Sequence, residues 1–323
     1  MILVTGGAGY IGSHTVKKLV EKGNEVIIVD NLSRGFIEAV HPKAVFEKGD
    51  ILDYKSLVRI FSKYDIDSVI HFAAFAYVGE SVEKPEIYYK NNVIGSFNLI
   101  SALKACRINK IVFSSTCSVY GNPLQVPISE NEPVKPINPY ARTKLMIENI
   151  LSDFTNAYGM KYVALRYFNA AGCSEDGTIG ESHNPETHLI PLVMQSIIDN
   201  DKKLQVFGND YDTKDGTCIR DYIHVNDLAD AHIKALDYLN SGKASTEINL
   251  GTGDGNSVMD IIRVTEEVTG MKAGYDVVPR REGDPAILVA DNNKANDTLG
   301  WQPEYTLKDI IESAWNWQRN KRY

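Results

Sequence analysis

Cysteine is scarce in this 323-residue chain: Cys106, Cys117, Cys173 and Cys218 stand far apart, and no two form a Cys-x-x-Cys pair. That spacing excludes a disulfide framework and reads as free thiols in a reducing cytoplasm. Long apolar runs are missing as well. No stretch approaches the ~18 residues of a membrane span, and "MILVTGG" opens the chain without the features of a leader peptide. A cytoplasmic protein with no membrane partner is expected. Positive charge is also in deficit, with 34 Lys and Arg against 42 Asp and Glu and a formal net charge of −8. That argues against nucleic acid as a partner, while leaving room for a local basic pocket around a small anion. Internal repeats and low-complexity segments are lacking too.

What is present is 43% apolar and 24% charged residues, enough for a sizeable core in a chain longer than a single usual domain. Short β-branched runs recur at "ILVTG" (2–6), "EVIIVD" (25–30), "SVIHFAA" (68–74), "KIVFSST" (110–116) and "KYVALRYFN" (161–169). They are nearly continuous in apolar residues, as strands buried on both faces should be. Segments of helical period lie between them at 11–22, 53–63, 92–107 and 140–158. The alternation predicts an α/β fold, a Rossmann-type doubly wound parallel sheet.

After residue 170 the alternation stops. A Gly-rich polar loop (171–188) precedes a helix-rich region, yet "VNDLADAHIKALDYL" (225–239) and "EINLG" (247–251) form one more helix–strand step. The expected division is a Rossmann domain over 1–170 with a returning segment near 222–251. A smaller, mostly C-terminal and discontinuous α/β substrate domain then spans 171–323.

"LVTGGAGYIG" places Gly6, Gly9 and Gly12 directly after the first strand and at the mouth of a helix. Such glycines permit a tight turn and let backbone N–H groups approach a pyrophosphate at the positive helix end. The second strand ends in Asp30, whose carboxylate can accept hydrogen bonds from an adenosine ribose and would repel a 2′-phosphate. NAD is favoured over NADP on that ground, with Arg34 pointing the other way. "GDILD" (49–53) closes a third strand, and Asp50 and Ile51 are candidates for the adenine edge.

"NPYARTK" (138–144) starts a helix at Asn138-Pro139 and sets Tyr140 and Lys144 on one face. The pair reads either as surface side chains or as an acid/base with the cation that tunes it. The strand "KIVFSST" brings Ser114, Ser115 and Thr116 to the sheet edge where ligands of open α/β folds bind, which favours the second reading. A phenol ordinarily titrates near ~10, so an adjacent ammonium and a nicotinamide cation are expected to lower it. Thr116 can hydrogen-bond the sugar oxygen that loses its proton.

The glycine motif, the hydroxyl residue and Tyr-x-x-x-Lys together resemble the extended short-chain dehydrogenase/reductase family. Within it the chain is most similar to the UDP-glucose 4-epimerases, through "TGGAGYIGSHT", "DNLSRG", "HFAA", "SVYG", "LRYFN", "FGNDYDTKDGTCIRDYIHV" and "PRREGD". The resemblance implies bound NAD, UDP-hexose substrates interconverted at C4 through a 4-keto sugar, and a homodimer. It assigns cofactor contacts to Tyr10, Ile11, Asp30, Asn31, Asp50, Ile51, Phe72, Ala73, Asn91, Tyr140, Lys144 and Tyr167. Substrate contacts fall to Phe168, Asn169, Phe207, Arg220, Arg281 and Asp284, where two arginines suit a diphosphate. Ala76 stands where some members carry lysine, His188 where some carry asparagine, and Leu288 where a tyrosine is thought to exclude N-acetylated sugars. UDP-GlcNAc and UDP-GalNAc are therefore further candidate substrates.

Nucleotide-sugar 4,6-dehydratases and UDP-glucuronate decarboxylases share the cofactor and the Tyr/Lys pair. Dehydratases also need an acid and a base after the Thr, and here the stretch is Thr116-Cys117-Ser118. A non-catalytic NAD-sensing module could dispense with Tyr140, Lys144 and the two arginines, all of which are present. "HNPETH" (183–188) shows no third ligand beside its two histidines, so no metal is expected. His71 and His224 read as core histidines, and Trp315 and Trp317 as helix packing.

Overall fold

The computed structural model describes residues 1–199, 201–281 and 284–323. Its first half runs β1 (Ile2–Thr5), α1 (Tyr10–Glu21), β2 (Val26–Asp30), β3 (Val45–Lys48), α2 (Tyr54–Lys63) and β4 (Ser68–His71). Two short helices, α3 (Val78–Glu83) and α4 (Pro85–Tyr88), pass through a π-helical segment (Tyr89–Ile94) into α5 (Gly95–Ala105). Then come β5 (Lys110–Ser114), α6 (Pro139–Tyr158) and β6 (Lys161–Tyr167). The second half holds β7 (Asn169–Ala171), α7 (Leu189–Ile198), β8 (Leu204–Phe207), β9 (Ile219–His224), α8 (Val225–Asn240) and β10 (Thr246–Leu250). It ends with β11 (Gly255–Ser257), α9 (Val258–Thr269), β12 (Tyr275–Val278), β13 (Ile287–Leu288), α10 (Asn293–Leu299) and α11 (Leu307–Arg319).

Among the described residues seven strands form one parallel sheet in the order β10-β6-β5-β4-β1-β2-β3. Period-two alternation sends Val4, Ile28, Ile70, Val112 and Leu165 to one face, under α1 and α8. Leu3, Ile27, Val69, Ile111 and Phe113 go to the other, under α2, α5 and α6. The chain winds outward both ways from β1, so the crevice at the carboxyl ends of β1 and β4 is the topological switch point where such folds bind ligands. The late helix–strand pair α8–β10 joins this sheet, with Thr246–Leu250 paired to Val163–Tyr167.

Two boundaries differ from the sequence reading. The third strand stops at Lys48, because the Asp50 carboxylate accepts from Leu52 N (2.8 Å) and turns the chain toward α2. "KYVALRYFN" is not one strand. It leaves the large sheet at Phe168, and Asn169–Ala171 pairs with β9 in a second sheet. The region beyond residue 170 is also less purely helical than expected. It carries β11–β9–β13 with β7, and the parallel pair β12–β8, around a core from α7, α9 and α11. These strands are two to six residues long, too short to announce a period. No helix among the described residues is long and apolar enough to cross a membrane.

Candidate active site

A cleft of about 1680 Å³ opens over the carboxyl ends of the large sheet and is walled on its other side by the second region. Its volume exceeds the about 300–1,000 Å³ of a single small-molecule site, which leaves room for two ligands. Each residue assigned from sequence to catalysis, cofactor or substrate lines it except Asp50. That carboxylate faces Leu52 N and Asn31 Nδ2 (3.0 Å) instead, leaving Gly49 and Ile51 on the wall.

At one end the glycine turn meets α1. Gly6 has φ +73°, and a Cβ on Gly12 would lie 2.2 Å from the Gly6 carbonyl oxygen, so neither position tolerates a side chain. Gly9 caps α1 without a side-chain hydrogen bond, and its first turn holds no acid. The first N–H groups and the positive helix end therefore stay available to an anion. Asp30 accepts from Ala8 N (3.0 Å) and Leu32 N (2.8 Å), fixing its carboxylate at the cleft. These features fit a dinucleotide. Arg34 is not a free cation for a 2′-phosphate: both its bonds go to Glu80, at 2.9 and 2.8 Å, while its guanidinium lies over Phe75 and Tyr77.

At the centre α6 begins as its sequence dictates, with Asn138 Oδ1 accepting from Ala141 N (2.8 Å) and Pro139 in the first turn. Tyr140, Lys144 and Glu148 follow at four-residue intervals on one buried face. Lys144 Nζ donates to the Ser114 carbonyl (2.8 Å) and stands 5.9 Å from the Tyr140 ring centre. Burial pulls its pKa down to about 7, against an upward pull from Glu148. Burial, then the neighbouring Tyr167, pushes the Tyr140 phenol well above its ordinary value, while a hydrogen bond with Thr116 works the other way. Among the protein's own groups burial outweighs any pull of Lys144 on the phenol; the expected lowering joined that ammonium to the nicotinamide cation. With a pKa of about 7 the lysine is only about half charged at neutral pH, which weakens its pull on the phenol beside it.

Sequence inspection missed the scaffold behind these groups. Glu148 accepts from Ser115 Oγ (2.5 Å) and pairs with Arg166 (2.5 Å), which also donates to Tyr120. Asn92 bridges Phe75 and Thr143, tying the exit of β4 to α6. The π-helical turn that aims Asn92 inward has no short-range signature, although such turns recur at functional sites.

At the other end Arg220 Nη2 meets Asp284 Oδ1 (2.5 Å), and Arg281 lies 3.9 Å over the Phe207 ring. Leu288 and Thr116 share the wall. Glu282 and Gly283 of "PRREGD" lie outside the described residues. The loop 171–188 also differs from its sequence reading. Folding adds two ligand-type side chains to the histidine pair, and donor atoms of Glu181, His183, Glu186 and His188 all lie within 4.8 Å of one another.

The chain matches a family model described as GDP-mannose 4,6 dehydratase over residues 3–314. It is 50% identical to a UDP-glucose 4-epimerase of Lacticaseibacillus casei over 320 residues, covering 99% of this chain and 97% of that one. The solved UDP-glucose 4-epimerase of Brucella ovis in complex with NAD superposes with a TM-score of 0.95 at 49% identity, covering 97% of each chain. That of Bifidobacterium longum, in complex with NAD+ and UDP, does so with 0.93 at 40% identity, covering 99% of this chain and 98% of that one.

Proposed function

Because the chain belongs to the UDP-glucose 4-epimerases of the extended short-chain dehydrogenase/reductase family, we propose that it is an NAD-dependent isomerase. It inverts C4 of UDP-hexoses, interconverting UDP-glucose and UDP-galactose in galactose metabolism through a 4-keto sugar. The observation that carries this reading is one cleft holding the glycine turn, the Tyr140–Lys144 face with Thr116, and the arginines Arg220 and Arg281. NAD, when bound, supplies the acceptor and donor of the C4 hydride, so no net redox change accumulates.

The residues divide the work. Gly6, Gly9, Tyr10, Ile11 and Gly12 would seat the pyrophosphate at the start of α1. Asp30 and Asn31 take the adenosine ribose, and Ile51, Phe72, Ala73 and Asn91 line its path. Held as phenolate when the nicotinamide cation of bound NAD offsets the desolvation that otherwise raises its pKa, Tyr140 would accept the O4 proton as C4 is oxidised and return it as C4 is reduced. Thr116 hydrogen-bonds the same oxygen, and Lys144 and Tyr167 hold the nicotinamide end. Lys144 is aimed there by its bond to the Ser114 carbonyl. Arg220 and Arg281 clamp the diphosphate, with Asp284 positioning Arg220 and Phe207 supporting Arg281. Phe168, Asn169 and His188 complete the substrate wall, and Leu288 leaves space beside the sugar for an acetamido group.

The same reading divides the chain into a cofactor domain, 1–170 with a returning segment near 222–251, and a UDP-sugar domain in the remainder of 171–323. Exposed Phe97, Met146 and Tyr158 on α5 and α6, with Phe154 meeting Phe97 and Tyr158 edge to face, offer a face for a homodimer. Four free cysteines suit a cytoplasmic setting.

A dehydratase or decarboxylase reading fares worse. Thr116-Cys117-Ser118 carries no carboxyl group, and burial pushes the Cys117 thiol up to about 12, so it stays neutral. Purified protein given UDP-galactose without added NAD should form UDP-glucose. No turnover, or a substantial yield of UDP-4-keto-6-deoxyglucose, overturns the reading.

A further inference from the structure

We propose that Glu181, His183, Glu186 and His188 form a structural site for one zinc ion that clasps the loop 171–188 over the mouth of the cofactor cleft. The sequence places all four residues within eight positions, and folding turns their donor atoms toward a common centre. His188 Nδ1 lies 2.9 Å from Glu181 Oε1 and 3.1 Å from Glu186 Oε1; His183 Nδ1 lies 3.3 and 3.6 Å from the same two oxygens. A tetrahedral zinc bound at about 2.0–2.1 Å separates its donors by about 3.3–3.5 Å. These four spacings bracket that value, and the remaining donor pairs lie within 4.8 Å, so the donors need only a small shift to close on an ion.

Hydrogen bonding alone accounts for this cluster poorly. His183 Nδ1 makes no hydrogen bond despite two carboxylates within 3.6 Å, and Glu186 Oε2 is buried without a partner. The Glu181 and Glu186 side chains are 8% and 5% exposed, so two carboxylates leave water together. Zinc with two neutral imidazoles and two carboxylates makes that set neutral, and its binding displaces protons from the imidazoles. The carboxylate of Glu186 is oriented as an outer shell would orient it, with Oε1 accepting from Thr187 N (2.9 Å) and His188 N (3.0 Å). Imidazole donors disfavour magnesium and calcium, and four protein ligands close the tetrahedron, which marks a structural rather than a catalytic site.

Its place in the fold gives it a task. Tyr10, from the glycine turn, sets its ring edge on His183 (6.3 Å between centres) and donates to the Gly172 carbonyl (2.6 Å). Tyr77, beyond β4, meets His183 at 5.8 Å and His188 at 6.4 Å. The clasp thus joins the loop to both walls of the cofactor cleft. Metal on His188 Nδ1 also fixes the proton on Nε2, making that atom a donor.

The test uses the purified full chain with its bound nucleotide, stripped of metal by a chelator and titrated with Zn2+ against a chromophoric competitor. One zinc per chain is expected, with affinity falling at least ten-fold in His183→Gln and in Glu186→Gln. Cobalt in its place should show the intense visible bands of four-coordinate Co2+, and zinc should raise the melting temperature of the parent protein but not of the variants. Circular dichroism and nucleotide content establish that the variants fold, and the cobalt spectrum of the parent tests the geometry without them. Absence of stoichiometric binding, a six-coordinate cobalt spectrum, or binding that both folded variants retain overturns the proposal.

Discussion

Lys144 sits one helical turn beyond Tyr140, 5.9 Å from its ring centre, and spends a 2.8 Å hydrogen bond on the carbonyl of Ser114 rather than on the phenol. The lysine is therefore anchored to the strand end, and the tyrosine is left facing Thr116 and the cleft.

Removing the phenol oxygen should remove the proton carrier and little else. Tyr140→Phe is expected to retain NAD, read by nucleotide content of the purified protein, while UDP-galactose turnover falls about 10²–10⁴-fold, the usual worth of a positioned acid/base. Turnover within a few-fold of the parent would take Tyr140 out of the mechanism.

Arg220 is held by Asp284 at 2.5 Å. Charge-assisted hydrogen bonds are worth about 1.5–3 kcal/mol each, so Arg220→Ala should raise KM for UDP-galactose roughly ten- to hundred-fold. Because these bonds are made equally before and during reaction, kcat should move much less. Steady-state kinetics separate the two, and an unchanged KM would remove Arg220 from the diphosphate site.

Leu288 is half-buried on the cleft wall. Leu288→Tyr adds bulk where an acetamido group would lie, so the ratio of UDP-GalNAc to UDP-galactose turnover should fall about ten-fold or more, as steric discrimination in such pockets allows. A ratio that does not change would place the acetamido group elsewhere.

His14, His71, His224 and His232 are buried, and burial lowers their pKa values to about 4, 3, 3 and 4. In the unfolded chain they protonate near about 6.5. With folded values depressed, the unfolded state binds the extra protons as pH falls. Their contribution to stability is then complete above about pH 6.5 and is lost progressively toward pH 3–4. Urea midpoints should drop between pH 7 and pH 5. His232→Gln removes one such group and should show a shallower drop, whatever its stability at pH 7; an identical drop would argue against a buried neutral His232.

How much of this was legible beforehand depends on the range of the interactions. The parallel sheet, the glycine turn and the Tyr140–Lys144 face rest on short continuous apolar runs, on a 3.6-residue helical period and on steric rules for glycine, all carried by neighbouring positions. The sequence by itself determined them.

Tertiary structure decided what depends on partners far along the chain. Arg34 looked like an argument for a phosphorylated cofactor until folding brought Glu80, 46 residues away, to its guanidinium. Glu148 meets Arg166 only through the pairing of α6 with the sheet. Phe168 ends one strand because β9, more than fifty residues later, offers the next a different sheet. Lys144 had every local mark of a permanent cation, and burial brings its pKa to about 7 against the upward pull of Glu148. Even the compact cluster at 181–188 needed the fold, because four donors close in sequence converge only when a loop is bent and held. Charge state and partnership follow from distance and solvent exclusion, and neither is a property of neighbouring residues in a chain.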